Sequence, residues 1–169
     1  TGLPRCQAQS APATVATADY STDQAHSGDR SIRAGIVGGG NRYAYSSARQ
    51  RVALPATAFR AMLDFWLYPV STETQPAKLT PEMQQAITRG APLITPAGGD
   101  AQYVFIMDDD RNILETLLWT LSDHQTWEEY TFDVSDYLGQ TIWLHFGVLN
   151  DSADGVTGMY VDDVSLVAC

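Results

Sequence analysis

The sequence predicts an all-β domain, a two-sheet antiparallel β-sandwich with one short helix in a long insertion between two strands. Three observations support this fold class. Short segments in which every second residue is apolar follow one another, and turn-forming residues separate them. Between residues 69 and 99 this pattern breaks. The length, 169 residues, suits a single domain, 1–169, that can bury a core without several disulfides.

The sequence predicts nine strands along the chain. Ile142, Leu144 and Phe146, for example, lie at every second position, which is the period of a strand with one buried face. Strands at this spacing fit two packed antiparallel sheets. In chain order the predicted strands are 13–18, 31–36, 43–53, 60–68, 102–107, 113–119, 127–133, 141–148 and 159–167.

The insertion 69–99 contains the predicted helix. Thr80 is a suitable N-cap, Pro81 favours the first helical position, and Gly90 commonly follows a last turn. These residues predict a helix over 81–89. The remainder of the insertion is rich in Pro, Thr and Gly. Long ordered loops are often functional, and a variable surface loop is the alternative.

Acidic residues outnumber basic ones. The chain has twenty Asp and Glu against ten Lys and Arg, a net charge of −10. Because no basic stripe is present, we expect neither nucleic acid nor an anionic membrane as a partner. No apolar run approaches the roughly 20 residues that a membrane span requires. The acidity favours cation binding or, alternatively, only a well-solvated surface.

Two adjacent aspartates, Asp162 and Asp163, interrupt the last predicted strand. Neighbouring residues in a strand point to opposite faces, so one of the two carboxylates should point inward. An unpaired charge there is costly, and a bound cation would compensate it. Calcium suits such a position because it accepts oxygen ligands from distant segments in irregular geometry.

Several motifs resemble one family. The segment from Trp127 to Leu166, with TFDVSDYLGQT, FGVLND and MYVDDVSL, is similar to the C-terminal half of calcium-binding jelly-roll domains attached to secreted bacterial glycosidases and peptidases. AHSGDRSIRAGI and YAYSSARQRVALP are similar to the HSG and SLR segment of carbohydrate-binding modules of that fold. The resemblance covers the chain from about Thr14 onward. It implies a jelly roll whose relatives bind glycans, bind proteins or pack beside a catalytic domain.

The resemblance also implies a structural calcium ion. In similar modules the ligands are the aspartate that begins the DDV-like motif and groups of the HSG turn. Another acid usually comes from an N-terminal GFE-like strand, which this sequence lacks before Thr14, so either Asp19 or Asp23 substitutes for it or this ligand is missing. Hydrogen bonds from backbone or arginine groups to these aspartates are the alternative. The predicted metal ligands are Asp162, Asp163, Asp29, Ser27 and Asp23.

Two cysteines, Cys6 and Cys169, lie near the two ends of the chain. First and last strands of a jelly roll are commonly close, so a disulfide would tie the termini together and suit an oxidising, extracellular setting. Two free thiols are the alternative. The first ten residues lack the basic start and apolar stretch of a secretory signal, so we expect an excised domain or a mature fragment.

Catalytic patterns are weak in this sequence. The three histidines are scattered and no serine lies in a GxSxG motif, although a carboxylate pair from different strands remains an option. Aromatic residues are better candidates, because Trp and Tyr pack on sugar rings while polar side chains bond to hydroxyls.

Two strands carry the predicted aromatic platform. Trp66 and Tyr68 lie on the face opposite Phe65, and Trp143 and His145 also lie opposite their strand's apolar set. If the two strands are neighbours, their rings form one surface. Core packing is the alternative for each tryptophan, and Trp127 matches a packing position of similar domains. The predicted ligand-binding residues are Trp66, Tyr68, Trp143, His145, Trp119, Asp100 and Gln102.

The function predicted from the sequence is a non-catalytic, extracellular carbohydrate-binding module stabilised by structural calcium. We expect a polysaccharide or oligosaccharide partner and a covalently attached catalytic domain in the parent chain. The alternatives are a structural or protein-interaction accessory domain without a glycan site and, less favoured by the residues, an enzyme in its own right.

Overall fold

A computed structural model describes residues 7–10, 18–90 and 97–169. A helix, α1 (Pro81–Arg89), and a 3₁₀ turn (Ser135–Tyr137) accompany the strands. The strands are β1 (Gln7–Ser10), β2 (Asp19–Ser21), β3 (Ser31–Gly35), β4 (Tyr43–Ala53), β5 (Ala61–Ser71), β6 (Ala101–Met107), β7 (Ile113–Thr120), β8 (Glu128–Asp133), β9 (Thr141–Asp151) and β10 (Thr157–Ala168).

The strands form two five-stranded sheets. Sheet A has the order β1-β4-β9-β6-β7 and sheet B the order β2-β3-β10-β5-β8. Every pair of neighbouring strands is antiparallel. The predicted two-sheet antiparallel sandwich is therefore confirmed. The consecutive strands β9 and β10 are the central strands of different sheets, so residues 152–156 carry the chain from one sheet to the other.

The main core lies between the two sheets. In β5 the buried Leu63, Phe65 and Leu67 alternate with less buried residues, as the period of two predicts. They join the inward side chains of β9, and Phe65 meets Phe146 edge to face with ring centroids 5.1 Å apart. Each such side chain contributes roughly 1.5–3 kcal/mol through its burial.

A second core lies on the outer face of sheet A, beneath α1. Buried Met83 and Ile87 of the helix pack with Tyr103, Phe105 and Leu149 of the sheet. We call this surface the helix-covered face. The helix has the predicted bounds, because the hydroxyl of Thr80 accepts the Met83 N–H (3.2 Å) and Gly90 takes a left-handed conformation with φ 66°.

Most predicted strands agree with the structure. The strand predicted over 43–53 matches β4, whereas β10 is longer at both ends than predicted. The strand predicted over 13–18 falls almost entirely outside the described residues. Cys169 is free and exposed, but its predicted partner Cys6 lies outside the described residues, so the disulfide stays a prediction. Within the described part, no helix is long and apolar enough to span a membrane.

Substitution of Ile87 by alanine measures how much the second core contributes to the free energy of unfolding. We expect Ile87→Ala to lower the free energy of unfolding by about 2–5 kcal/mol, because it removes buried methyl groups and leaves a cavity beneath α1. Gln85→Ala, on the exposed side of the same helix, is the matched control and should change stability by less than about 0.5 kcal/mol. Urea titration measures both, and equal effects would show that α1 does not pack on sheet A.

Candidate functional site

Five aromatic rings cluster on the outer face of sheet B, and we call this surface the aromatic face. Trp66 and Tyr68 point outward because they alternate with the buried residues of β5. The His26 ring stacks on Trp66 with centroids 3.8 Å apart. Trp127 meets Tyr68 at 5.5 Å and His26 at 5.7 Å. Tyr160 completes the cluster through an edge contact with Tyr68 at 5.9 Å.

Acidic and hydroxyl groups border the aromatic face on β8. The exposed Glu129 lies opposite Trp66 in the strand register. On the same face, the Thr131 hydroxyl donates to Asp64 at 2.7 Å, whereas Glu128 and Tyr130 alternate with these residues and lie on the core side of the strand. The surface thus combines partly exposed ring faces with acceptors for hydroxyl groups, which is the combination that sugar ligands require.

Asp162 and Asp163 hold the turn that carries His26. Oδ2 of Asp162 accepts the backbone N–H groups of His26 (2.8 Å) and Ser27 (3.2 Å). The Asp163 carboxylate bonds to Nδ1 of His26 (2.8 Å) and accepts the Ser27 hydroxyl. The His26 contact lowers the pKa of Asp163. These bonds fix the ring of His26 over Trp66.

The prediction that either Asp162 or Asp163 points its carboxylate inward from the last strand is wrong. A β-bulge shifts the register between Asp162 and Ser165, and Asp163 adopts a left-handed conformation with φ 47°. Both carboxylates consequently reach the same exposed turn, so neither requires a cation to offset burial. The local pattern of alternation could not reveal this bulge.

The predicted metal ligands do not assemble as an open site. Asp162, Asp163 and Ser27 come together, but their oxygens are engaged by the hydrogen bonds of the His26 turn. Asp23 forms an ion pair with Arg33 at 3.0 Å, and Asp29 lies exposed. The alternative interpretation, aspartates that accept backbone and arginine hydrogen bonds, describes the observed contacts. These residues therefore do not fit a calcium ion in this arrangement.

Trp143 and His145 do not extend the aromatic face. Their strand, β9, lies in sheet A, whereas β5 lies in sheet B, so the single platform expected from both strands is wrong. His145 is buried beside the helix-covered face, with Nδ1 3.3 Å from the sulfur of Met107. Burial lowers the pKa of His145 to about 3, and Arg49 and Arg111 lower it further, so the ring is neutral.

Trp143 is tied to charged neighbours. The Arg49 guanidinium lies 5.2 Å from the ring centroid, a cation–π distance. The indole N–H donates to Asp109 at 2.9 Å, and Arg51 donates to both oxygens of the same carboxylate. Chiefly because of Arg51, the pKa of Asp109 falls to about 2. The ring is part of a polar support between β9 and the β6–β7 turn.

Trp119 and Gln102 serve as internal links in the structure. The Trp119 indole donates to the carbonyl of Ala77 (2.8 Å), and its ring stacks near Tyr103 with centroids 5.7 Å apart. Gln102 is fully buried, and its amide donates to the carbonyls of Ser122 and Gly158, each at 3.0 Å. Gln102 is inaccessible, so its predicted contact with a ligand is wrong, whereas Trp119 is partly exposed and its contact with a ligand stays a prediction.

A polar groove of about 260 Å³ separates α1 from the β6–β7 turn. Residues 108–112 form that turn, and the Asp108 carboxylate accepts two hydrogen bonds from Asn112, both at 2.8 Å. Hydrogen-bonding side chains dominate the lining. They are Gln84, Gln85, Arg89, Asp110, Arg111 and Asn112.

Three buried carboxylates, Glu73, Asp100 and Asp151, form an acidic triad at the crossing between the sheets. Each offers an oxygen within 4.8 Å of the other two, and together they could hold a metal ion. The Asp151 N–H donates to Oδ1 of Asp100 (2.8 Å). Burial raises the pKa of Asp100 to about 6. Asp100 therefore lies in the buried acidic triad and not on a surface where it could make the predicted contact with a sugar.

Sequence reasoning missed two members of the triad. Glu73 lies in the irregular start of the insertion, where no pattern distinguishes it. Asp151 ends β9 and precedes a loop whose acids lack the alternation of an EF-hand, so no local metal motif identifies it. The link between Glu73 and that loop appears only in the structure, where the Gly155 N–H donates to Glu73 at 3.1 Å.

The fold is similar to that of several solved β-sandwich carbohydrate-binding modules. TmCBM61, solved in complex with β-1,4-galactotriose, is similar with a TM-score of 0.55 and 11% identity, over 97% of this chain and 88% of that one. The CBM22-1 xylan-binding domain of Paenibacillus barcinonensis Xyn10C is similar with a TM-score of 0.50 and 12% identity, over 96% of this chain and 85% of that one. A CBM4 structure is similar with a TM-score of 0.50 and 13% identity, over 97% of this chain and 86% of that one. No family model and no curated protein matches the sequence.

Burial of His145 predicts a loss of stability in acid. Its folded pKa, about 3, lies below the unfolded value of about 6.5, so between these values only the unfolded chain binds the extra proton. Stability from this group is complete above about pH 6.5 and falls as the pH drops towards 3. We expect His145→Leu to lose less stability than the wild type between about pH 7 and pH 4.

Urea unfolding of both proteins at several pH values measures this difference. Asp100 acts in the opposite direction, because its raised pKa removes stability as the pH rises through about 4 to 6. That contribution is common to both proteins and cancels in the comparison. Parallel pH profiles for the two proteins would show that His145 is not held neutral by burial.

Proposed function

We propose that this domain is a non-catalytic carbohydrate-binding module whose ligand lies on the aromatic face. The observation that carries the proposal is the cluster of Trp66, Tyr68 and Trp127 on a rigid sheet, with partly exposed rings. The apolar C–H face of a pyranose ring would pack on the exposed part of Trp127 and Tyr68. Glu129, exposed at the border, would accept hydrogen bonds from the sugar hydroxyls.

The arrangement of the two sheets supports this choice. The outer face of sheet A packs against α1, and its tryptophans are engaged by Asp109 and by the Ala77 carbonyl. Among the described residues no helix covers sheet B, and the His26 turn is held at one side by Asp162 and Asp163. His26 covers one face of Trp66, so we assign to Trp66 the support of the platform and to Trp127 the main sugar contact.

The context of the domain forms part of the same proposal. An extracellular parent protein with a covalently attached catalytic domain is the usual setting of modules with this fold. The solved complex of TmCBM61 with β-1,4-galactotriose supports β-1,4-galactan as the first ligand to test, and the xylan-binding CBM22-1 domain supports xylan as the second. Structural calcium belongs to the proposal as well, at a position other than Asp162.

Affinity electrophoresis in gels with soluble galactan, xylan, mixed-linkage β-glucan or starch tests the function. We expect the wild type to be retarded by at least one of these glycans and Trp127→Ala to bind it about 30-fold more weakly, the loss that about 2 kcal/mol from an aromatic anchor represents. Trp143→Ala is the matched control on sheet A and should keep the wild-type affinity.

Arg89→Ala, in the polar groove, completes the design. If this variant loses binding while Trp127→Ala retains it, the sugar site lies in the groove and our assignment to the aromatic face is wrong. Absence of retardation on every glycan would remove the carbohydrate function and favour an accessory domain that contacts proteins. Release of reducing ends from a retained glycan would instead identify an enzyme.

A further inference from the structure

We propose that Glu73, Asp100 and Asp151 bind one calcium ion, which fastens the start of the insertion to the crossing between β9 and β10. Glu73 comes from the insertion, Asp100 directly precedes β6, and Asp151 ends β9. The site is separate from the Asp162 position that the sequence motifs implied, and it does not depend on whether the domain binds sugar.

The geometry of the triad suits calcium. Oxygens of the three carboxylates lie within 4.8 Å of one another. Calcium binds oxygen at about 2.3–2.6 Å, so two of its ligands are separated by up to about 5 Å. Magnesium demands near-octahedral geometry and usually keeps several waters with only one or two carboxylates, so a buried set of three carboxylates favours calcium. Nitrogen and sulfur ligands are absent from the triad, which disfavours zinc and copper.

The charge of the triad has no cationic partner in the described part of the chain. All three side chains are buried, with Asp100 fully inaccessible. The ion pairs among the described residues are formed by other carboxylates, those of Asp23, Asp109, Glu128 and Asp163. Several kcal/mol are lost when an ionised carboxylate is buried without compensation. A divalent cation would balance most of this charge.

One carboxylate oxygen lacks any hydrogen-bond donor. Among the described residues, Oδ2 of Asp100 is buried without a partner, although the same carboxyl accepts the Asp151 N–H through Oδ1 and also interacts with the Thr157 side chain. Buried polar atoms are nearly always satisfied in native proteins, so an orphan oxygen beside two further carboxylates indicates a missing partner. A metal ion would bind this oxygen and the neighbouring carboxylates together and would balance their negative charge. A single water molecule could donate hydrogen bonds to these oxygens but could not balance the charge.

Backbone donors hold the other two carboxylates in place. Gly99 N–H donates to Oδ2 of Asp151 (2.7 Å), and Gly155 N–H donates to Oε2 of Glu73 (3.1 Å). A Cβ on Gly99 would lie 1.9 Å from the Gln75 carbonyl oxygen, and one on Gly155 would lie 2.2 Å from the Glu73 nitrogen. Glycine is required at both positions for this approach. Such outer bonds orient the ligands of metal sites.

Calcium binding should appear in both calorimetry and thermal melting. After EDTA treatment and removal of the chelator, the wild type should bind one calcium ion per chain. At a free concentration of about 100 times Kd, Tm should rise by about 5–10 °C. Magnesium at the same concentration should raise Tm by less than half as much. Asp100→Asn should bind calcium at least about 100-fold more weakly and show no calcium-dependent rise.

The variants also distinguish loss of the calcium site from loss of the folded structure. Asp100→Asn is nearly isosteric and removes a buried charge, so without metal its Tm should equal or exceed that of the metal-free wild type. Asp162→Asn is the matched control at the position implied by the sequence motifs and should bind calcium as the wild type does.

Three results would overturn the proposal. The first is no calcium-dependent rise in Tm for a wild type shown to be metal-free. The second is loss of calcium binding in Asp162→Asn with binding retained in Asp100→Asn. The third is a larger rise with magnesium or zinc than with calcium. Glycan binding by the same samples is measured separately, so failure of the metal site and failure of the sugar site remain distinguishable.

Discussion

The passage of the chain from sheet A to sheet B is the constraint on which the rest of the structure depends. Because β9 and β10 are central strands of different sheets, the segment between them must run through the end of the sandwich, where polar groups become buried. The Asn150 side chain accepts the Thr157 N–H (2.8 Å) and donates to the Thr157 carbonyl (2.9 Å), which closes the crossing. Gln102 adds a bond from β6 to the Gly158 carbonyl. Satisfying these groups fixes the two sheets relative to each other.

The crossing also determines where binding chemistry is available. The insertion begins beside it at Glu73 and continues into α1, which packs on sheet A. The outer face of sheet A is thereby used for stability, and its Trp143 and His145 have structural neighbours. Sheet B keeps a partly exposed aromatic face, which the His26 turn borders. In the proposed function, structural support and sugar recognition therefore lie on opposite sides of one sandwich.

Local patterns predicted most elements but not the site. The alternation in β4 and the caps of α1 are properties of neighbouring residues, so the sequence alone sufficed for their bounds. The bulge at Asp163 depends on contacts with a turn more than 130 residues away, and no local pattern reports it. The acidic triad is equally non-local, because its members lie in three segments that only the fold brings together. The division of β5 and β9 between sheets follows from strand order, which periodicity does not contain.

Native-state hydrogen exchange, followed residue by residue with and without calcium, tests most directly whether the crossing is the metal-stabilised centre of the fold. The amides of Gly99, Asp151 and Gly155 donate to or within the triad. Calcium should slow their exchange, and that of Thr157, by at least about 10-fold more than the exchange of amides in β8. A uniform change across both sheets, or no change at these amides, would contradict this account.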